Sequence, residues 1–258
     1  MSQIKIDVDA DNMLGRQFTA LERDQLPFAI VQACNATAFE IRETWKRTAP
    51  RVFDRPAPLT INAAMYRKAT KQRLFAEIFL RDEAFKGTPP AKYLLAEVEG
   101  GSRRKKGIEV LLQAKGLMPA GQFAVIGRGA TPDQYGNVRG SQLTAILSQL
   151  QAQRDRYQNE NRESSVSVRR RQSRKKRGGQ YFAITKQRGR LKPGIYERIN
   201  TGFGSAVRSI FIFTKQATYK PRYDIFGLAQ RTWDKLMPFY FNRELEKAIQ
   251  TAITKVQR

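Results

Sequence analysis

The apolar positions of this chain change period several times, and those changes mark out its elements. At the start Ile4, Ile6 and Val8 alternate with polar neighbours, the spacing of a short strand, until Asp9, Asp11 and Asn12 break it. From Pro27 the step becomes three and four: Val31, Cys34, Ala38, Ile41 and Trp45 share one stripe of a helix. Pro27 suits the first turn of that helix and Pro50 a place past its end, with Lys46 and Arg47 near the negative pole. After a proline-rich break at Pro50, Pro56 and Pro58, two strand-like runs between Leu59 and Leu80 flank a polar turn at Lys68–Arg73, which predicts an antiparallel hairpin. In its second run Phe75, Glu77 and Phe79 lie on one face, and Leu74, Ala76, Ile78 and Leu80 on the other.

Tyr93–Glu99 reads as a further strand candidate, followed by the glycine and cation break 100–107 and the apolar run Ile108–Leu112, which is either a second hairpin or the start of a short helix. Gln122–Gly127 is another strand candidate and Gly127–Gly140 an extended loop. Leu143, Ile146, Leu147 and Leu150 restore helical spacing, with Ser141 as the expected cap and the helix running on into the polar residues 151–158. Three runs of strand composition follow residue 180: Tyr181–Thr185, Gly194–Ile199 and Ala206–Thr214. The chain closes on two helical stripes, one of Leu228, Ala229, Trp233, Leu236 and Met237, the other of Leu245, Ala248, Ile249, Ala252, Ile253 and Val256, with Pro238 expected to kink or divide them. The expected architecture is α+β: a long N-terminal amphipathic helix on a mostly antiparallel sheet, with C-terminal helices. In blocks, residues 1–158 form a helix-plus-hairpin region, 159–180 a basic flexible loop, and 181–258 the strands and helices that complete the same domain. No fixed-period repeat is visible.

Composition adds one dominant fact. The 258 residues hold 47 Lys and Arg against 23 Asp and Glu, a formal charge of +24. Such a chain calls for a polyanionic partner, nucleic acid or an acidic protein surface. No apolar run approaches the roughly 20 residues of a membrane-spanning helix, so no membrane partner is expected. The opening MSQIKIDVDADN has neither the basic nor the apolar region of a secretory signal. With one cysteine and no histidine, disulfides, ordinary zinc sites and histidine general bases drop out. The acids are scattered, with no Asp-x-Asp cluster for a hard metal ion, so neither a cofactor nor catalysis is expected.

The candidate contact site is the run 169–177, whose cations are Arg169, Arg170, Arg171, Arg174, Lys175, Lys176 and Arg177. Flexible cations follow a phosphate backbone without reading bases; the plain alternative is a solvated loop, and the same residues fit a nuclear-localisation pattern. Arg103–Lys106, between strand candidates, more simply blunts a sheet edge than binds a ligand. The glycines of 127–140 lack the order of a phosphate-binding fingerprint and read as loop. Glu97 and Glu99, two apart on a strand candidate, can pair as catalytic carboxylates but among so many cations read better as salt-bridge partners. Phe211, Phe213, Tyr219, Tyr223 and Phe226, interleaved with Lys215, Lys220 and Arg222, can stack bases but read as packing. Cys34, on the apolar stripe, reads as a small buried hydrophobe.

Some short signatures carry a resemblance. The helix closing in Arg47-Thr48-Ala49-Pro50, the hairpin, and Tyr93-Leu94-Leu95-Ala96-Glu97-Val98-Glu99-Gly100-Gly101 resemble the layout of phage tail-completion and minor tail proteins. Lys192-Pro193-Gly194-Ile195-Tyr196-Glu197-Arg198, the aromatic strand, Tyr219-Lys220-Pro221-Arg222-Tyr223-Asp224 and the closing helix are similar to the prophage minor tail protein Z family. The resemblance spans most of the chain, although 159–180 is long for that family. It implies a non-enzymatic virion protein assembled in the host bacterial cytoplasm. Such a protein sits in the tail or neck as a homo-oligomeric ring near the DNA channel, with other tail or neck proteins and packaged DNA as partners. A free, sequence-nonspecific nucleic-acid-binding protein is the alternative. A phosphoryl-transfer enzyme is a third class, and it would need an acidic metal cluster that the sequence does not offer.

Overall fold

The computed structural model describes residues 3–6, 20–85, 87–201 and 204–256, and side-chain surroundings between 25 and 251 except at 86, 175, 177, 178, 202 and 203. The chain divides into two units, one nested in the other: Met1–Gly101 with Tyr219–Arg258, and Ser102–Thr218. This differs from the sequential blocks expected at 158 and 180.

The first unit is built on α1 (Ala20–Val52) and α7 (Ile225–Val256), which pack against each other along their lengths. The expected stripe is the core face of α1, with Cys34, Ala38, Ile41 and Trp45 all fully buried. Burying an isoleucine such as Ile41 contributes roughly 1.5–3 kcal/mol. Pro27 and Pro50 both lie inside the helix, not at its borders. Buried Leu26, Ala29 and Ile30 around the first proline and Ala49 beside the second hold the helix against the core where local preference would end it. The expected hairpin is present: β2 (Ala64–Arg67) pairs antiparallel with β3 (Ala76–Leu80), and β1 (Gln3–Ile6) takes the other side of β3. Ala76, Ile78 and Leu80 face the core against α1. The residues before β2 form a single helical turn, α2 (Pro58–Ile61), not a strand. The remainder of the N-terminal segment's expected pattern, Val8 to Asn12, lies outside the described residues.

A further strand expectation fails in this unit. Tyr93–Glu99 is not a strand: α3 (Pro90–Val98) begins on a proline at its first position and buries Pro90, Leu94 and Glu97, three or four residues apart. Gly100 follows at φ +80° and ends it; a side chain there would also meet the Pro221 ring at 2.9 Å. At Pro238 α7 is not divided. Ala229, Trp233 and Met237 before the proline and Tyr240, Phe241 and Leu245 after it pack on one cluster, while Pro238 itself is exposed. Ile249, expected on the second stripe, is 43% exposed, and the surroundings of Ala252, Ile253 and Val256 lie outside the described residues.

The nested unit is a four-stranded antiparallel sheet in the order β4 (Phe123–Ile126), β7 (Gly204–Thr214), β6 (Gly194–Thr201), β5 (Gly178–Ile184). All four strands stand where the sequence placed them. Its core joins Ala124, Ile195, Ile210, Phe211 and Phe213 to Leu112 of α4 (Gly107–Ala114) and Ile146 and Leu147 of α5 (Gly140–Gln149). The run Ile108–Leu112 thus takes the helical of its two readings. At α5 the capping position is Arg139, not Ser141, and Leu150 closes the helix before the polar residues it was expected to enter. The Gln149 side chain covers the sheet edge, its Oε1 accepting from Tyr181 N at 3.0 Å and its Nε2 donating to Gly179 O at 3.2 Å.

Candidate nucleic-acid interface

Charge divides between the units far more sharply than length. Ser102–Thr218 holds 24 Lys and Arg against 6 Asp and Glu, a formal +18 of the chain's +24. Three of those six acids are consumed locally: Glu109 pairs with Arg103, Glu160 with Arg174 and Glu197 with Arg208. Asp133 and Asp155 accept from backbone N–H groups of their own turns at 2.8–2.9 Å. Most of the unit's cations therefore face solvent without a counter-charge.

The run 169–177 is not a loop. It is the body of α6 (Ser165–Arg177), and Asn159 and Glu160 ahead of it are pinned, Asn159 Oδ1 accepting from Gln153 N and Glu160 N donating to Ser148 O. Low apolar content hides this helix from a reading based on burial. Arg, Lys and Gln are nonetheless good helix formers, and cations in the last turn meet the favourable pole of the helix dipole. Gly178 and Gly179, the latter at φ +91°, stop it. Polar contacts hold it in place of an apolar stripe: Arg174 pairs with Glu160, Arg171 donates to the Arg162 carbonyl, and Asn200 Nδ2 donates to Lys176 O at 2.6 Å.

This geometry sorts the seven candidate cations. Arg169, Arg170 and Lys176 are exposed, and none has a carboxylate partner among the described residues. Arg171 and Arg174 are half-buried and turned inward, each with an Nε that is buried and unpartnered. The side chains of Lys175 and Arg177 lie outside the described residues. A face of unpaired cations on a regular helix can follow phosphates.

The second basic stretch has a different role from the one expected. Arg103 N donates to Ala217 O at 3.3 Å, and the stretch then leads into α4 and serves the core. Glu109 is fully buried and accepts from Arg103 Nη1 at 2.9 Å, Lys106 N at 2.7 Å and Ala124 N at 2.7 Å, so one carboxylate joins the start of α4 to β4. Burial pushes this carboxyl up, but the hydrogen bonds from Arg103, Ala124 and Lys106 outweigh it and hold the pKa below the ordinary value. Lys105 donates to Gln113 Oε1 at 2.9 Å.

Glu97 and Glu99 do not share a strand face: Glu97 is buried on α3 and bound bidentately by Arg222, while Glu99 is exposed at the helix end. The aromatic run is split. Phe211 and Phe213 are core of the nested sheet, Tyr223 is core of the first unit and donates to Trp45 O at 2.9 Å, and Phe226 is 42% exposed. Cys34 is fully buried, with burial pushing its thiol up to about 12. Gly127 and Gly129 abut Ser209 and Arg208 of β7, which makes 127–129 a closely packed loop. Among the described residues no group of three acids, cysteines or histidines is placed to hold a metal ion, and no helix is long and apolar enough to cross a membrane.

The sequence reading passed over one basic element. Lys186, Arg188, Arg190 and Lys192, four cations at alternate positions, occupy the turn between β5 and β6, and all four are exposed. The cation alternation across Gly189 is the sequence signal for this element, and it lies outside the denser run 169–177.

No protein-family model matches this chain, and neither a curated protein nor a solved structure matches it.

Proposed function

We propose that this chain is a non-enzymatic structural component of a bacteriophage particle, in the tail or neck, with its nested unit turned toward packaged nucleic acid. The observation that carries the reading is the concentration of +18 of the formal charge in Ser102–Thr218, with Arg169, Arg170 and Lys176 exposed on one helix. Such a surface lowers its own electrostatic free energy by meeting phosphates, and several copies in a ring would need that partner all the more. The tail-and-neck part rests on the order of signatures that resembles minor tail protein Z. Neighbouring tail or neck proteins, further copies of this chain and packaged DNA are the partners it implies, and the virion is where it would reside.

The same basic surface also favours a second reading, a free protein that binds nucleic acid without sequence preference. Particles purified through a density gradient from a host expressing a tagged chain separate the two. Presence in fixed copy number at the head–tail junction, by mass spectrometry and labelled electron microscopy, is the expected result. Absence from particles would remove the virion reading, and steeply salt-dependent duplex binding by the isolated protein would then support the second.

A further inference from the structure

The turn joining β5 to β6 is a second cationic element, separate from α6. Arg188 and Leu191 form a backbone bridge, each N–H donating to the other's carbonyl at 3.0 Å, so Gly189 and Arg190 are the two central residues of a tight hairpin turn. Gly189 is at φ +55° and Arg190 is not at positive φ, the pattern of a type II′ turn, whose twist suits the strands it joins. Gln187 Nε2 donates to Gly189 O at 3.1 Å and steadies the turn. Phe213 N donates to Pro193 O; beyond the last β5–β6 pair, Ile184–Gly194, the segment 186–192 is closed by the single Arg188–Leu191 bridge.

This ribbon end carries Lys186, Arg188, Arg190 and Lys192 and no acid. All four are exposed, and none has a carboxylate partner among the described residues. The nearest acid along the chain, Glu197, is taken by Arg208 at 2.8 Å. Leu191 is the one sizeable apolar side chain of the tip and is itself half-buried. Among the described residues no side chain of this unit pairs with the four charges. Long cations on a turn closed by that bridge reach backbone phosphates at little ordering cost. The seven residues of β5 separate this tip from the end of α6 by roughly 20 Å at 3.3 Å per residue, so the two elements meet different phosphates.

We propose that the β5–β6 hairpin tip is a phosphate-contacting arm that grips the sugar–phosphate backbone of duplex DNA through Lys186, Arg188, Arg190 and Lys192. The proposal rests on the reading that the nested unit faces nucleic acid. It is tested on the full chain with a labelled 25-base-pair duplex of arbitrary sequence, by fluorescence anisotropy from about 50 to 200 mM salt. The variants are K186S/R188S/R190S/K192S and, separately, R169S/R170S/K176S. With ~0.9 of log–log salt slope lost per phosphate contact, the hairpin variant is expected to flatten the slope by about 3–4 and to weaken low-salt binding at least tenfold, with thermal unfolding unchanged. If the wild-type chain shows no duplex binding at the lowest salt, the nucleic-acid reading itself falls. If it binds and only the helix variant weakens it, the hairpin assignment is overturned while that reading stands. If the hairpin variant loses binding to a poly-glutamate probe but keeps full affinity for the duplex, the arm takes an acidic protein surface and the DNA assignment is wrong.

Discussion

Replacing Glu109 by glutamine removes one charge and almost no volume, yet it should damage the nested unit about as much as a typical core truncation. The carboxylate accepts from a guanidinium and from two backbone N–H groups, all away from water. An amide in its place keeps one carbonyl oxygen, which can satisfy Ala124 N or Lys106 N but not both, and turns an NH2 toward Arg103. The Arg103 side chain is only 12% exposed, so its guanidinium loses its carboxylate where water cannot replace it and keeps only weaker contacts such as the Ala124 carbonyl at 3.3 Å. Leaving a buried N–H without an acceptor costs ~1–3 kcal/mol, and stranding one member of a buried ion pair ~3–5 kcal/mol. Some relaxation is expected, which makes about 3 kcal/mol a reasonable figure. That corresponds to roughly a 100-fold rise in local opening, at 1.4 kcal/mol per factor of ten, read by hydrogen-exchange mass spectrometry on peptides covering 107–126. Tryptophan fluorescence is the wrong probe, because Trp45 and Trp233 both belong to the other unit. Adding R103M should recover at least ~1 kcal/mol of the loss, since the buried cation stripped of its carboxylate is then gone. Protection in Glu109→Gln within about 0.5 kcal/mol of the wild type would refute the argument that this carboxylate binds α4 to β4.

The same group sets an acid limit. Its folded pKa is lowered, so its contribution is complete above the unfolded-chain value of about 4.3 and is lost as pH falls through the folded value; exchange protection of 107–126 should decline below about pH 4, and a flat profile to pH 3 would contradict this. The Cys34 thiol, buried with its pKa pushed up to about 12, should resist a thiol-specific reagent at pH 8 until denaturant is added; prompt native labelling would place it elsewhere. Gly194→Ala should disrupt the nested sheet, because a Cβ there lies 2.2 Å from Phe211 O, and a loss of about 2 kcal/mol or more is expected from circular-dichroism melts. Tyr223→Phe removes the buried bond to the Trp45 carbonyl and should cost about 1–2 kcal/mol in urea unfolding followed by tryptophan fluorescence.

Where burial dictates structure, the sequence was legible. The stripe through Cys34, Ile41 and Trp45, the β2–β3 hairpin and the strands of the nested sheet are all written as apolar spacing, because each element must hide one face. The reading failed where other forces decide. Tyr93–Val98 is apolar on too short a span for spacing alone to separate strand from helix; proline at its first helical position and Gly100 after it were the better guides. Pro27, Pro50 and Pro238 are each overridden by core contacts on both sides, a tertiary effect with no local signature. For α6 absence of apolar residues does not mean absence of structure, since one ion pair and two hydrogen bonds to carbonyls anchor that helix. Arg103 looked like surface charge for a similar reason: its partner Glu109 is six residues away, in the middle of an apolar run. Of the candidate contact site, the basic run was plain, but which of its cations face outward depends on a helical phase that only the fold supplies.

The nesting of one unit inside the other has a consequence for how the chain is made. Thr37 on α1 meets Met237 on α7 across 200 residues, and Trp45 meets Tyr223 across 178. On the ribosome, the stripe of α1 emerges long before α7 exists to cover it. At ~5–20 residues per second the 117 intervening residues alone take roughly 6–25 s to synthesise. The nested unit, whose strands and helices lie in one continuous stretch, has all its parts during that interval. Chain order thus lets the inserted unit close before the first one, whose N-terminal helix meets β2 and β3 early but waits for the final 32 residues of structure to cover the rest of its apolar face.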